Sequence, residues 1–289
     1  MPFSPGGSTD ILARVVAPKL SAALGASIVI ETHPGAASMI GTQYVARAAP
    51  DGYTLLLTNV AYTINAAVRK STLSYSLKNF EPVTLLASQP TVLVANSALA
   101  ASSVKDIIAM ARQKPGELQY ASAGVGSVGH LAGEIFQSAT GVRLTHIPYQ
   151  GGGSAQVDLI SGRVMLGFLG LPPLMPYAKQ GKVKLIALTD GRRSKARPDL
   201  PTLSEEGLSG YAVDNWIGLL APAGTPSSIV ARLFAETTKV MDDPEIAEKL
   251  ASIGFEPWIS KSPEQFTAFV LDDVEKYRHA AESAHLVVE

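Results

Sequence analysis

Cysteine is absent from all 289 residues. That excludes disulfides, thiolate metal ligands and a cysteine nucleophile together, and it is compatible with an oxidising compartment and with the cytosol alike. An excess of either charge is missing too: 24 Lys and Arg stand against 25 Asp and Glu, a formal charge of −1, with no basic block beyond two adjacent residues. Nothing here would draw nucleic acid or an anionic bilayer, so neither is expected as a partner. Long apolar runs are lacking. The nearest, Val164 to Met175, is broken by Pro172 and Pro173 and falls short of the ~18 residues of a membrane span. The opening Met1-Pro2-Phe3-Ser4-Pro5-Gly6-Gly7 has neither the basic nor the apolar stretch of an export signal.

What is present is a turn-rich globular composition, 46% hydrophobic with 25 glycines and 19 prolines, in a chain long enough for two domains of ~100–200 residues. Seven short apolar runs read as strands: 53–58, 83–87, 91–95, 118–122, 144–149, 164–168 and 185–189. Helical spacing separates them. Ile11, Leu12, Val15, Val16 and Leu20 mark one helix, kinked by Pro18 and stopped by Gly25. Leu131, Ile135 and Phe136 mark another, closed by Gly141, and Ile229 to Val240 a third. The alternation predicts an α/β fold with largely parallel sheets. Extended stretches at 82–96 and 211–226 suggest two crossings between lobes, one of residues 1–98 plus 215–289 and one of 99–214, with a ligand held between them.

Gly124-Val125-Gly126-Ser127-Val128-Gly129 matches the G-x-G-x-x-G fingerprint of dinucleotide-binding proteins. A strand before and a helix after are both expected. The acidic residue ~20 positions on is missing, because the next strand ends His146-Ile147-Pro148-Tyr149-Gln150. No nucleotide cofactor is therefore expected. Two readings stay open: glycines that merely permit a tight turn, or bare N–H groups at a helix start that suit an anion. Similar loops at Pro5-Gly6-Gly7-Ser8, Pro34-Gly35-Ala36-Ala37-Ser38 and Gln150-Gly151-Gly152-Gly153-Ser154 favour the second. Catalytic patterns are weak. There is no G-x-S-x-G elbow, His33, His130, His146, His279 and His285 have no metal spacing, and Asp242-Asp243 and Asp272-Asp273 read as helix-end or solvated charges. Ser127 and His130, three residues apart, are the one nucleophile–base pairing on offer.

Phe3-x-Pro5-Gly6-Gly7-x-x-Asp10-x-x-Ala13-Arg14, Ala49-Pro-Asp-Gly-Tyr-Thr-Leu55 and Tyr120-Ala-Ser-Ala-Gly-x-Gly-Ser127-x-x-His130-Leu131 resemble the Bug family, as do Pro148-Tyr-x-Gly-Gly152, Leu200-Pro-Thr202 with Glu206-Gly207, and Trp216-x-Gly-Leu-x-Ala-Pro-Ala-Gly-Thr-Pro226. These are TctC-like extracytoplasmic receptors of tripartite tricarboxylate transporters. The resemblance, which runs through nearly the whole chain, implies a two-lobe periplasmic-binding-protein fold of type II, joined by two crossover strands and closing like a Venus flytrap. It implies a small organic acid as ligand (a di- or tricarboxylate, an acidic amino acid or an aromatic acid), membrane transporter subunits as partners, a periplasmic location, a monomer, and neither catalysis nor a cofactor. By position Phe3, Pro5, Gly6, Gly7, Asp10, Thr58 and Asn59 would form one wall, and Ser122, Gly124, Gly126, Ser127, His130, Tyr149, Gly152 and Phe168 the other. The alternative is a hydrolase or nucleotide-dependent enzyme built on Ser127 and His130 or on the GVGSVG loop. Two departures stand out. Only Met1-Pro2-Phe3 precedes the Pro-Gly-Gly loop where the family has a strand, which would leave that strand's neighbours unpaired. The family's glycine pair after Pro34-Gly35-Ala36 is replaced by Ala37-Ser38.

Overall fold

Gly25 stops the first helix where the spacing predicts. Helix α1 (Ser8–Leu24) buries Leu12, Val16 and Leu20 along one side, and Gly25 ends it in the left-handed conformation, φ 65°. Pro18 lies inside the helix without ending it. The computed structural model describes residues 1–69 and 72–283; His285 lies outside them. After α1 come α2 (Met39–Ala46), β1 (Leu56–Asn59), α3 (Ala61–Val68), β2 (Phe80–Ser88), β3 (Thr91–Asn96) and α4 (Val104–Gln113). Next are β4 (Gln119–Ser122), α5 (Val128–Thr140), β5 (Thr145–Pro148), α6 (Gly152–Ser161), β6 (Leu166–Gly170), α7 (Met175–Lys179) and β7 (Val183–Leu188). The chain closes with β8 (Trp216–Pro222), α8 (Ser227–Met241), α9 (Pro244–Ser252), β9 (Glu256–Pro257) and α10 (Pro263–Ser283). All seven strands expected from the apolar runs are present.

The strands form a four-stranded sheet, β1-β8-β2-β9, and a five-stranded sheet, β5-β4-β6-β3-β7. Their directions correct the expectation of largely parallel sheets. Among the strands of the described residues only β4–β5 and β4–β6 are parallel; β1–β8, β2–β8, β2–β9, β3–β6 and β3–β7 run antiparallel. Apolar runs covered on both faces report burial, not direction. The chain leaves the first sheet at Gln89-Pro90, so β3, grouped by sequence with residues 1–98, pairs inside the second sheet between β6 and β7. It returns through the segment between β7 and β8.

Packing at the return is dominated by α10 and β8. Trp216 is 1% exposed, meets Phe266 and Phe269 edge-on, and donates its indole N–H to Asp273 Oδ2 at 2.9 Å. Thr63 Oγ1 of α3 donates to the same oxygen at 2.6 Å. Asp273 is therefore a buried acceptor tying α3, β8 and α10 together, not the solvated charge the sequence suggests, and desolvation pushes its pKa up. Each large apolar side chain buried here contributes roughly 1.5–3 kcal/mol.

β1 is an edge strand. Beside it, residues 27–31 run extended outside any sheet, and between the two lies an apolar slot of about 410 Å³ walled by Leu12, Val16, Leu20, Ile28, Leu57 and Leu219. At the slot's end, the amino group of Met1 donates to the Glu31 carbonyl at 2.7 Å and His33 N–H to the Met1 carbonyl at 2.9 Å. The loop that lost its glycine pair keeps glycine-like backbone: Ala36, Ala37 and Ser38 have φ of 46°, 50° and 79°. A residue with a Cβ pays about 1–2 kcal/mol for that conformation, and Asn65 Nδ2, donating to the Ala37 carbonyl at 2.6 Å, holds it there.

Candidate ligand-binding cleft

Consider first the loop that copies the dinucleotide fingerprint. It turns between β4 and α5 because Gly124 and Gly126 take φ of 125° and 87°. Gly129 lets α5 press onto the second sheet, since a Cβ there would overlap the Phe168 carbonyl oxygen. The loop's polar groups satisfy one another. Ser127 Oγ caps α5 by accepting His130 N–H at 3.3 Å, Gly126 N–H donates to His130 Nδ1 at 3.2 Å, and Gly124 N–H donates to Ser122 Oγ at 3.1 Å. Ser127 Oγ donates to Ser122 Oγ at 3.3 Å, and Ser122 Oγ lies 2.7 Å from His146 Nε2.

Ser127 and His130 are thus not arranged as nucleophile and base. The serine caps the histidine's own main chain, and the ring nitrogen facing the loop accepts from Gly126. His130 stacks on His146 at 4.3 Å, and His146 on Tyr120 at 4.9 Å. Desolvation, helped by nearby Arg69, lowers the His130 pKa to about 4; desolvation, helped by His130, lowers that of His146 to about 3. Both rings are neutral at pH 7.

The other two glycine loops differ. α1 starts at Gly7 and α6 at Gly151, and neither start has a side-chain cap. Their first-turn N–H groups have no partner within the helix. These two starts meet across the gap between the sheets: a Cβ on Gly153 would overlap the Pro5 carbonyl oxygen, and one on Gly151 would overlap Ser4 Oγ. A Cβ on Gly7 would stand 3.6 Å from Gly153 N. Asp10 shapes the first loop, its Oδ2 accepting from Gly6 N–H at 3.0 Å and from Arg14 Nε at 2.9 Å. A second bridge joins the sides at α3, where Arg69 Nη2 donates to the Val125 carbonyl at 3.0 Å. Among the described residues Ser4 Oγ, Asp10 Oδ1, Thr58 Oγ1 and Gln89 Oε1 are buried without a hydrogen-bond partner, a costly condition.

The sequence-expected wall residues divide accordingly. Pro5, Gly6, Gly7 and Asp10 sit at the α1 start, and Phe3 is buried just before it. A Cβ on Gly152, at the α6 start, would meet nothing within 4 Å. Ser122, Gly124, Gly126, Ser127 and His130 form the self-satisfied turn. Asn59 Oδ1 is taken by Ala61 N–H, and the Tyr149 hydroxyl donates to Asp158. Phe168 is 1% exposed and packs in the core against Tyr120 and Phe136. Ser4, Asn65, Arg69 and Gln89 escaped the sequence reading. For Gln89 a signal existed: it is a polar residue before a proline in an otherwise apolar extended run. A larger hollow of about 930 Å³, lined by Asp190, Arg192, Trp216, Glu256 and Trp258, involves none of the glycine loops.

Two sheets joined by two passages, with helix starts from either side meeting between them, define a periplasmic-type solute-binding protein. More narrowly, the chain belongs to the tripartite tricarboxylate transporter receptor family, TctC, whose model matches residues 12–286. Protein BugT of Bordetella pertussis is 33% identical over 279 residues, 96% of this chain and 85% of BugT. Among solved structures, R. palustris Rpa4515 with adipate superposes with a TM-score of 0.94 at 35% identity, covering 98% of this chain and 95% of that one. The periplasmic binding protein BugD does so with a TM-score of 0.94 at 32% identity, covering 100% and 97%. Family and fold are those of a binding and transport receptor. Among the described residues no helix is long and apolar enough to cross a membrane.

Proposed function

We propose that this protein is a monomeric, non-catalytic receptor of the periplasm that closes around a small organic carboxylate and hands it to the membrane subunits of a tripartite tricarboxylate transporter. One lobe carries the four-stranded sheet and the other the five-stranded sheet, with the border at Gln89-Pro90 and again ahead of β8. The observation that carries the reading is the meeting of two uncapped helix starts, α1 at Gly7 and α6 at Gly151. Both dipoles, and the first-turn N–H groups beyond the Gly6 N–H that Asp10 holds, favour a negative guest there. Rpa4515, with adipate, supports a carboxylate, and BugD supports the compartment. Gly7 and Gly152 supply main-chain N–H contacts, Pro5 and Gly6 shape the loop that presents them, Thr58 adds a hydroxyl, and Ser122, Ser127 and His130 hold the facing turn rigid.

The test is a melting-temperature screen of the whole chain against dicarboxylates, acidic amino acids and aromatic acids. A ligand that binds only the folded state stabilises by about 2.7 kcal/mol at a hundred times its Kd. At least one acid raises the melting temperature by several degrees; flat melting across the panel refutes the reading.

A further inference from the structure

We infer that Gln89 makes the cleft selective for acids that carry a hydrogen-bond donor, a hydroxyl or an ammonium group, over the unsubstituted acid of the same length. The inference rests on the carboxylate-receptor reading and specifies which members of that class are preferred.

Gln89 is 2% exposed and occupies the first passage between the sheets. Its main-chain N–H is used, donating to the Asn215 carbonyl on the returning passage at 3.0 Å. Its side-chain oxygen is not: Oε1 is buried and has no partner among the described residues. The position of that oxygen is what matters. A Cβ built on Gly170, at the end of β6, would overlap Ser8 Oγ of α1 and would stand 3.8 Å from Gln89 Oε1. The unpaired oxygen therefore lies where the α1 start meets the second sheet. Asn215 repeats the pattern on the other passage: it is 3% exposed, Nδ2 donates to Thr91 Oγ1 at 3.3 Å, and Oδ1 is buried and unpartnered.

The chemistry follows from the two kinds of group. Helix-start N–H groups are donors and suit a carboxylate. Orphan amide oxygens are acceptors, and a carboxylate gives them nothing. A guest with a hydroxyl or ammonium near its carboxylate satisfies both, and the plain acid leaves the acceptor unmet inside a closed, dry site. An unmet buried polar group costs a factor of roughly 5–150 in binding, and sites built around such groups discriminate strongly against analogues that lack the matching group.

Calorimetric titration of the whole chain with matched pairs tests this: malate against succinate, and 2-hydroxyglutarate and glutamate against glutarate. In at least one pair the substituted acid binds roughly 5–150-fold tighter. Gln89→Met, similar in length but without the amide, brings that ratio to within about threefold. An orphan amide adds no stability, so the variant melts at or above the wild-type temperature. Equal binding in every pair, a preference that survives Gln89→Met, or a variant that melts lower or fails to fold each overturns the inference while leaving the receptor intact. If no acid binds at all, the receptor reading falls and the inference falls with it.

Discussion

Glycine loops that look alike in sequence behave differently. The Gly124–Gly129 turn is partly closed on itself, with Ser122, His130 and Ser127 taking the Gly124, Gly126 and His130 N–H groups. The Gly6-Gly7 and Gly151–Gly153 turns are less so: Asp10 takes the Gly6 N–H, but neither helix start has a side-chain cap. A glycine loop is an anion site only when its N–H groups are left over. The letter match to a cofactor fingerprint fell on the loop with least to spare, where the glycines serve backbone conformation and helix–sheet approach.

Substitutions that add a single methyl group break this comparison most directly. Gly129→Ala forces the Phe168 carbonyl to move and is expected to cost about 1–3 kcal/mol of stability, read as a drop in urea midpoint with binding of the best acid little changed. Gly153→Ala has the reverse signature. Its Cβ collides with Pro5 across the gap, so affinity falls at least about tenfold, about 1.4 kcal/mol, with a nearly unchanged melting temperature in the absence of ligand. If both variants show one and the same signature, the two loops are not different in kind. Ser127→Ala comes next: loss of the α5 cap costs about 1 kcal/mol, visible in chemical unfolding, and the variant binds with little change in affinity, which a direct serine contact to the ligand would not allow.

The smallest effect is a pH slope. His130 and His146 have folded-state pKa values of about 4 and about 3, below the ordinary ~6.5. The unfolded chain therefore takes up their protons first. Their contribution is complete above about pH 6.5 and is lost as pH falls towards 4 and then 3. Asp190 and Asp273, whose pKa values burial pushes up, take up protons in the folded state and offset part of the fall. Unfolding curves from pH 7 to 4 should decline less for His146→Asn than for the wild type; parallel curves would show that the histidine pair is not the cause.

The fold was legible because its signals are local. Seven apolar runs, and Gly25 and Gly141 as helix stops, all act within a few residues. Strand direction and the point of crossing were not legible, since β2 and β3 form one extended apolar stretch in which only Gln89-Pro90 marks the change of sheet. The cleft was half legible. Glycine loops announce bare N–H groups, but which of them are spent on neighbours depends on contacts such as Ser122 with His146, 24 residues apart. Phe168 illustrates the limit from the other side: an aromatic at the end of an apolar run reads equally as pocket or core, and here it is core.

The open flank of β1 bears on handling as much as on architecture. An unpaired backbone ridge next to an oily trough, with Val29 76% and Tyr53 88% exposed around it, is the place where a stray extended chain adheres most readily. Among the described residues this seam is therefore where two copies would first adhere as concentration rises, which light scattering over a dilution series reads.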